Sequence, residues 1–324
     1  MPGFLVASQR ADAVDILHLR NDSATSLGSV PVADALFLIA HPERPVVHIA
    51  SSSDGGTVTT LDLATGESRA VTGVGEVPCY LHLVDNDHLV CANYGSGTVS
   101  AIQLADDKVG ELASTLNLPN KPRLGAKKER QQASHPHAVR SWGDELIVTD
   151  LGTDTIHRVE LVGGELKLGG EFSDLPAGAG PRHVEAGDND ELWVTLELDN
   201  GVSLVTRDGL STVSATMNGI DNHVGDIIRH EPSGTVAVAN RDVNTFAVFR
   251  HAALGIERVA EISCGGQWPT ELATDGEVLA VANRDSDSVA LFTGVEYWKS
   301  EPRLVDVTRP ISIHRAPEWV DSLR

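Results

Sequence analysis

Apolar and polar positions along this chain fall into a recurring unit: a short Val/Ile/Leu-rich run, a polar loop, and a second apolar run. The instances are "FLVASQRADAVDILHL", "VVHIASSSDGGTVTTLDL", "LVCANYGSGTVSAIQL", "LIVTDLGTDTIHRVEL", "LWVTLELDNGVSLV", "VAVANRDVNTFAVF" and "LAVANRDSDSVALF". The last residue before each polar loop is Ser8, Ser52, Asn93, Asp150, Leu196, Asn240 or Asn283. Six positions later stands Val14, Val58, Val99, Ile156, Val202, Phe246 or Val289. The runs are too short and too rich in β-branched residues for helices, and Gly, Asp and Asn bound them, which predicts strands. The anchors are spaced by 44, 41, 57, 46, 44 and 43 residues, close to the roughly 40–45 residues of a four-stranded propeller blade. Seven such units predict an all-β, seven-bladed β-propeller with four-stranded antiparallel blades, a single domain over residues 1–324. The alternative is a long sandwich array. The first unit lacks the strand that precedes its anchor elsewhere, and "PISIHRAPEWV" (310 to 320) is left over at the other end. The ring is therefore expected to close between N- and C-terminal strands.

A second register runs ahead of the anchors. Pro78, Pro136, Pro181 and Pro269 each stand 14 or 15 residues before the next anchor, in "GEVPCYLHL", "ASHPHAVRS", "GAGPRHVEA" and "GGQWPTELA". A proline at constant phase marks the first residue of a strand, where no ladder donor is needed. That strand and the anchor strand form a hairpin, so the start of one and the end of the other share an end of the blade. Around a ring these ends converge on the central channel. Two sets of residues are expected on one face. Cys79, His137, Arg182 and Thr270 follow the prolines, with His135 and His183 beside them; Asn93, Asp150, Glu197, Asn240, Arg241, Asn283 and Arg284 stand at or just after the anchors. A pocket lined by His, Arg, Glu and Asn suits an active site or an anion site. Asn93, Asn240, Asn283 and Asp150 are equally ordinary turn residues, and Arg241 and Arg284 equally suit salt bridges between blades. His135 and His137 alternate on an extended chain and share a face. A metal pair is one reading of them, against which the sequence shows no further His or Cys ligand at close spacing.

Composition narrows the partners. A formal charge of −21 argues against broad nucleic-acid binding, which needs a basic patch, and makes each arginine near the channel significant for an anionic ligand. Cys79, Cys91 and Cys264 are odd in number and far apart, as expected of free thiols in a reducing cytoplasm. The N-terminus carries no signal-peptide pattern, and no run approaches the length of a membrane span. The expectation is a cytoplasmic protein with no membrane, nucleic-acid or cofactor requirement. The long step between anchors holds a basic insertion, "LPNKPRLGAKKERQQAS" (118 to 134), a loop of the kind that carries function.

The proline elements with their anchor strands, in order from Gly75 to Phe292, resemble the lactonase family of seven-bladed propellers, the group of the propeller-type 6-phosphogluconolactonase and the carboxy-cis,cis-muconate lactonizing enzyme. The resemblance implies a site built from the histidine of "HPH", the arginine of "GPRH", the glutamate after the next strand and a further arginine. These fall on His137 with His135, Arg182, Glu197 and, for the last, Arg241. The chain departs from the family pattern at "GGQWPTEL", where Thr270 stands in place of an arginine. One missing cation weakens the case for a doubly charged, phosphorylated substrate.

The expected activity is hydrolysis of a sugar-acid lactone, 6-phosphogluconolactonase-like, with an anionic small-molecule substrate. No G-x-S-x-G nucleophile is present, so water attacks directly, with His137 or Glu197 as base. His137, Glu197 and Arg182 are the expected catalytic residues; His135, His183, Arg241, Asn93, Asp150, Asn240 and Arg284 are expected to bind substrate; no metal is assigned. The rivals are a non-catalytic binding propeller, a muconate-type lactonizing enzyme, and a metal-dependent lactonase built on His135, His137, Asp150 and Glu197.

Overall fold

A computed structural model describes residues 3–120, 127–171, 175–188, 190–206, 209–217 and 219–323. Seven four-stranded antiparallel sheets stand around a ring. Their innermost strands are Pro310–Arg315, Ala35–Ala40, Pro78–Leu83, Pro136–Trp142, Pro181–Ala186, Val224–His230 and Pro269–Thr274, in blades one to seven. In the first blade Pro310–Arg315 pairs with Phe4–Gln9, so the two ends of the chain close the ring in one sheet.

The apolar runs read as near-continuous because both faces of each blade are covered. In "LAVAN", Leu279 and Val281 pack toward the sixth blade while Ala280 and Ala282 pack toward the first. In the first blade Leu5 and Ala7 face the second blade, and Phe4 and Val6 face the seventh. Alternation of side chains along a strand thus yields seven hydrophobic clusters, one between each pair of neighbouring blades.

Proline opens five of the inner strands, Ala35 and Val224 the other two, and a register shift of the β-bulge kind follows near the start of the strand in every blade. A bulge re-aims the side chains next to it. In the fifth blade the shift leaves Arg182 and His183 outside the ladder register. The residue before the strand has positive φ at Asp34, Val77, Gly180, Trp268 and Arg309. For β-branched Val77 and bulky Trp268 that conformation is strained.

Three of the polar anchors proved to be fasteners between blades. Asn93 Nδ2 donates to Val74 O (2.9 Å), Thr98 Oγ1 (3.1 Å) and Ser100 Oγ (3.0 Å). Asn240 Nδ2 donates to Ala215 O (3.1 Å) and Thr245 Oγ1 (3.1 Å), and Asn283 Nδ2 to Cys264 O (3.0 Å). Each asparagine satisfies a carbonyl of the link arriving from the previous blade, a backbone group that burial would otherwise leave unpaired. Asp150 does the converse work, accepting from Ser134 Oγ (2.6 Å), His135 N (2.7 Å) and Gly152 N (3.0 Å). All four are fully buried.

Candidate active site

The route by which the chain assembles the site is a repeated backbone hydrogen bond. In blades three to seven the residue after the anchor donates to the residue before the inner strand: Tyr94 to Val77, Leu151 to His135, Glu197 to Gly180, Arg241 to His223 and Arg284 to Trp268. The Glu197 N–H to Gly180 O bond (2.8 Å) brings that glutamate beside Pro181-Arg182, although 15 residues separate Arg182 from Glu197 in sequence.

Glu197 is the hub. Its Oε2 lies 3.0 Å from Arg182 Nε and 2.9 Å from Arg241 Nη2, and its Oε1 accepts from Arg130 Nη2 at 2.9 Å. The Arg182 contact is an ion pair set off hydrogen-bond geometry: Arg182 Nε and Nη1 are buried with no hydrogen-bond partner among the described residues. Arg241 is also held from behind by the carbonyls of His223 (3.2 Å) and Val224 (3.5 Å). Burial alone pushes the Glu197 carboxyl upward, but the charges of Arg241, Arg182 and Arg130 outweigh it and hold it well below the usual carboxylate range. Burial lowers Arg241 to about 10, with Glu197 opposing, so it remains charged at neutral pH. Three guanidiniums around one carboxylate leave an excess of positive charge in a chain whose overall charge is negative.

His137 and His135 frame the other wall. The His135 ring stacks on Tyr94 with centroids 4.5 Å apart, and His137 meets the same tyrosine edge-on at 5.7 Å. Burial, then Arg182 and His183, lowers His137 well below an ordinary histidine. It is neutral at pH 7, and its Nδ1 is buried with no partner among the described residues. His183 packs against His137 at 5.2 Å and hydrogen-bonds through Nδ1 to Asp226 Oδ1 at 2.6 Å. It therefore belongs to the layer beneath, where Asp226 also accepts from Leu272 N (2.9 Å) and Glu271 from Ile313 N (2.9 Å). Burial, then Asp226, raises Glu271 to about 8. Below this layer, at the far end of the channel, opens a cavity of about 660 Å³ lined by Phe37, Tyr80, His82, Arg140, Glu271 and His314 among others.

The sequence-predicted residues thus divide. His135, His137, Arg182, Glu197 and Arg241 meet in one cluster, with His183 directly below. Asn93, Asp150 and Asn240 do not line it, because their side chains are spent on the inter-blade links. Arg284 stands aside, paired with Asp285 (2.7 Å) and lying over Trp268 at 5.1 Å; Arg241 also lies against that indole, at 5.5 Å. Sequence reading passed over Tyr94, Trp268 and Arg130. Tyr94 occupies the same post-anchor register as Glu197 and Arg241, which was the available signal, and Trp268 precedes Pro269. Arg130 belongs to the basic insertion, whose residues 121–126 lie outside the described residues; nothing in the blade register singles it out. Thr270 turns its hydroxyl to the carbonyls of Ala282 (3.2 Å) and Pro310 (3.4 Å), and Arg130 adds a third guanidinium to the Glu197 cluster. Among the described residues no three His, Cys, Asp or Glu side chains gather as metal ligands. Nor, among the described residues, is any helix long and apolar enough to cross a membrane.

Comparison with known proteins agrees with this architecture. The 6-phosphogluconolactonase of Bacillus subtilis (strain 168) is 29% identical over 256 residues, 74% of this chain and 71% of that protein. The crystal structure of a candidate 6-phosphogluconolactonase from Bacteroides fragilis NCTC 9343 superposes with a TM-score of 0.83 at 22% identity, covering 97% of this chain and 98% of that one. A virginiamycin B lyase from Staphylococcus aureus superposes with a TM-score of 0.66 at 14% identity over 86% of this chain and 84% of that one. At such identities the two structures attest the fold alone. The family model for lactonase, 7-bladed β-propeller, matches residues 6–296, and the chain belongs to that lactonase family.

Proposed function

We propose that the protein opens a sugar-acid lactone that carries an anionic group, in the manner of a 6-phosphogluconolactonase, at the cluster around Glu197. One observation carries this reading. Two polar atoms with no partner among the described residues, Arg182 Nη1 and His137 Nδ1, are buried in one place above a carboxylate bound by three arginines. Buried polar groups left unsatisfied call for a polar ligand.

The chemistry follows from the charges. Water attacks the lactone carbonyl carbon while neutral His137 takes its proton. The guanidinium of Arg182 stabilises the oxyanion that develops on the carbonyl oxygen. The intermediate collapses with cleavage of the ring C–O bond, and the imidazolium returns its proton to the departing alkoxide, giving the open hydroxy acid. Glu197, held ionised by its arginines, is a poor base and serves instead to fix them in place. Arg241, held on Glu197 and on the His223 and Val224 carbonyls, adds positive charge that favours a substrate with an anionic substituent.

The test is hydrolysis of 6-phosphogluconolactone and of gluconolactone by the wild-type protein and by His137→Ala and Arg182→Ala. Loss of a positioned base costs roughly 10²–10⁴ in rate, and loss of an oxyanion donor roughly 10²–10³. Both variants retaining wild-type rates would refute the assignment. The depressed basicity of His137 favours one second reading, capture of a sugar acid without turnover. Binding of 6-phosphogluconate by a wild-type protein that opens no lactone would establish it.

A further inference from the structure

We infer that Arg130 is the specificity-determining residue of this site, the group that selects substrates bearing an anionic substituent, and that Glu197 holds its place until substrate arrives. The inference rests on the lactone-site reading above and adds a residue that no blade repeat supplies.

Three observations carry it. First, Arg130 is the outermost of the three arginines: its side chain is 35% exposed, against 11% for Arg182 and 13% for Arg241. A ligand arriving at the mouth meets it first. Second, its hydrogen bonds leave capacity. Nη2 binds Glu197 Oε1 at 2.9 Å and Nε binds Tyr94 Oη at 3.2 Å, while Nη1 has no partner among the described residues. A phosphate or carboxylate docking on the guanidinium fork can use Nη1 and displace Glu197 Oε1 from Nη2. Glu197 keeps Arg182 and Arg241 on its other oxygen.

Third, the arm that carries Arg130 is preorganised. Residues Lys128–Arg130 form a short 3₁₀ turn. The next residue, Gln131, is fully buried and donates to Leu151 O (3.0 Å) and Asp154 Oδ1 (2.8 Å). Ser134 Oγ is fixed on Asp150. Gly152 lets the arm lie this close, since a Cβ there would fall 1.7 Å from Ala133 O. On its other side Lys127 Nζ reaches Asp221 Oδ1 at 3.2 Å, so the arm crosses the mouth from the fourth blade toward the sixth. A long side chain pinned at its base loses less freedom on binding, which is what discrimination by charge requires.

The experiment compares phosphorylated with unphosphorylated lactone. In Arg130→Met the ratio of kcat/KM on 6-phosphogluconolactone to that on gluconolactone falls tenfold or more, chiefly through KM on the phosphorylated substrate. Arg130→Lys recovers part of the ratio. A loss common to both lactones, or no loss, overturns the inference while leaving the lactonase reading intact. A parallel calorimetric titration with 6-phosphogluconate and gluconate separates the two claims. If Arg130→Met binds 6-phosphogluconate more weakly than wild type while gluconate is unaffected, and the wild-type protein hydrolyses no lactone, the role of Arg130 stands and the activity is refuted. Equal affinity of wild type and Arg130→Met for 6-phosphogluconate overturns the role of Arg130.

Discussion

At Glu197 one carboxylate, 3% exposed, stands against three guanidiniums. Its removal leaves buried like charges facing one another, and breaking a buried pair costs about 3–5 kcal/mol. Glu197→Gln is therefore expected to lower stability at pH 7 by an amount of that order, read from denaturant melts. The sign with pH follows from the depressed carboxyl: its contribution is present above the ordinary value of 4.5 and is lost as pH falls through the lower folded value. The gap between wild type and variant should narrow in strong acid; a gap that widens there would contradict the ion-pair account. On the proposed mechanism His137 is the base that sets the rate profile. Its folded pKa is far below 6.5, so the neutral, proton-accepting form persists across the neutral range. The kcat/KM profile should show no break near 6.5 and should fall only further into acid. How much of this was legible beforehand depends on register. His137, Arg182, Glu197 and Arg241 recur at fixed offsets from a proline or an anchor, and the hairpin brings those offsets together. Arg130 has no such offset, since its position depends on how the insertion folds back onto the fourth blade.

Within the blades, strand propensity and proline phase forecast every inner strand that opens on one of the four prolines, but not the use made of the anchors. Asn93 and Asn240 look alike as turn residues or ligands in sequence; only the path of the incoming link decides that their amides serve Val74 and Ala215 carbonyls. The inner strands also hold an unforeseen carboxylate pair, Asp226 and Glu271, on adjacent blades. Glu271 is buried, beside Asp226, and titrates near 8 rather than 4.5. A carboxyl raised in the fold stabilises the native state most below its unfolded value. Stability is lost as pH rises from about 4.5 through about 8. Glu271→Gln keeps an acceptor for the Ile313 N–H while abolishing that titration. The variant should be close to wild type at pH 5 and should melt higher than wild type at pH 9, each kcal/mol regained raising Tm by about 2–4 °C. A difference in Tm that stays constant between those pH values would show that the pair does not titrate in this way.

Across the whole molecule, the ring is held at one place by strands from opposite ends of the chain. That closure was readable as a missing strand at one terminus and a spare one at the other. Pro310–Arg315 pairs with Phe4–Gln9, and its side chains serve both neighbouring interfaces. Ile311 packs toward the second blade and Ile313 toward the seventh, and Ser312 Oγ meets the Leu38 backbone from both sides, N–H at 3.2 Å and C=O at 3.2 Å. Farther on, Ala316 N donates to Gly3 O (2.8 Å) and Trp319 Nε1 to His41 O (2.8 Å). Deleting residues 310–324 would strip the inner strand from the first blade, expose Phe4–Gln9 as an unpaired edge in the channel, and uncover two hydrophobic interfaces together. It would also remove the Ile313 N–H that binds Glu271, although the Glu197 cluster, on blades four to six, loses no direct contact. The expected outcome is loss of the single cooperative melt, with association of the truncated chain through its open edge. A synthetic peptide of residues 310–324 added in trans should restore the melt, because the strand needs only to be present and not to be covalently attached. A truncated protein that melts cooperatively within a few degrees of the full chain would mean the other six blades hold the ring without its closing strand.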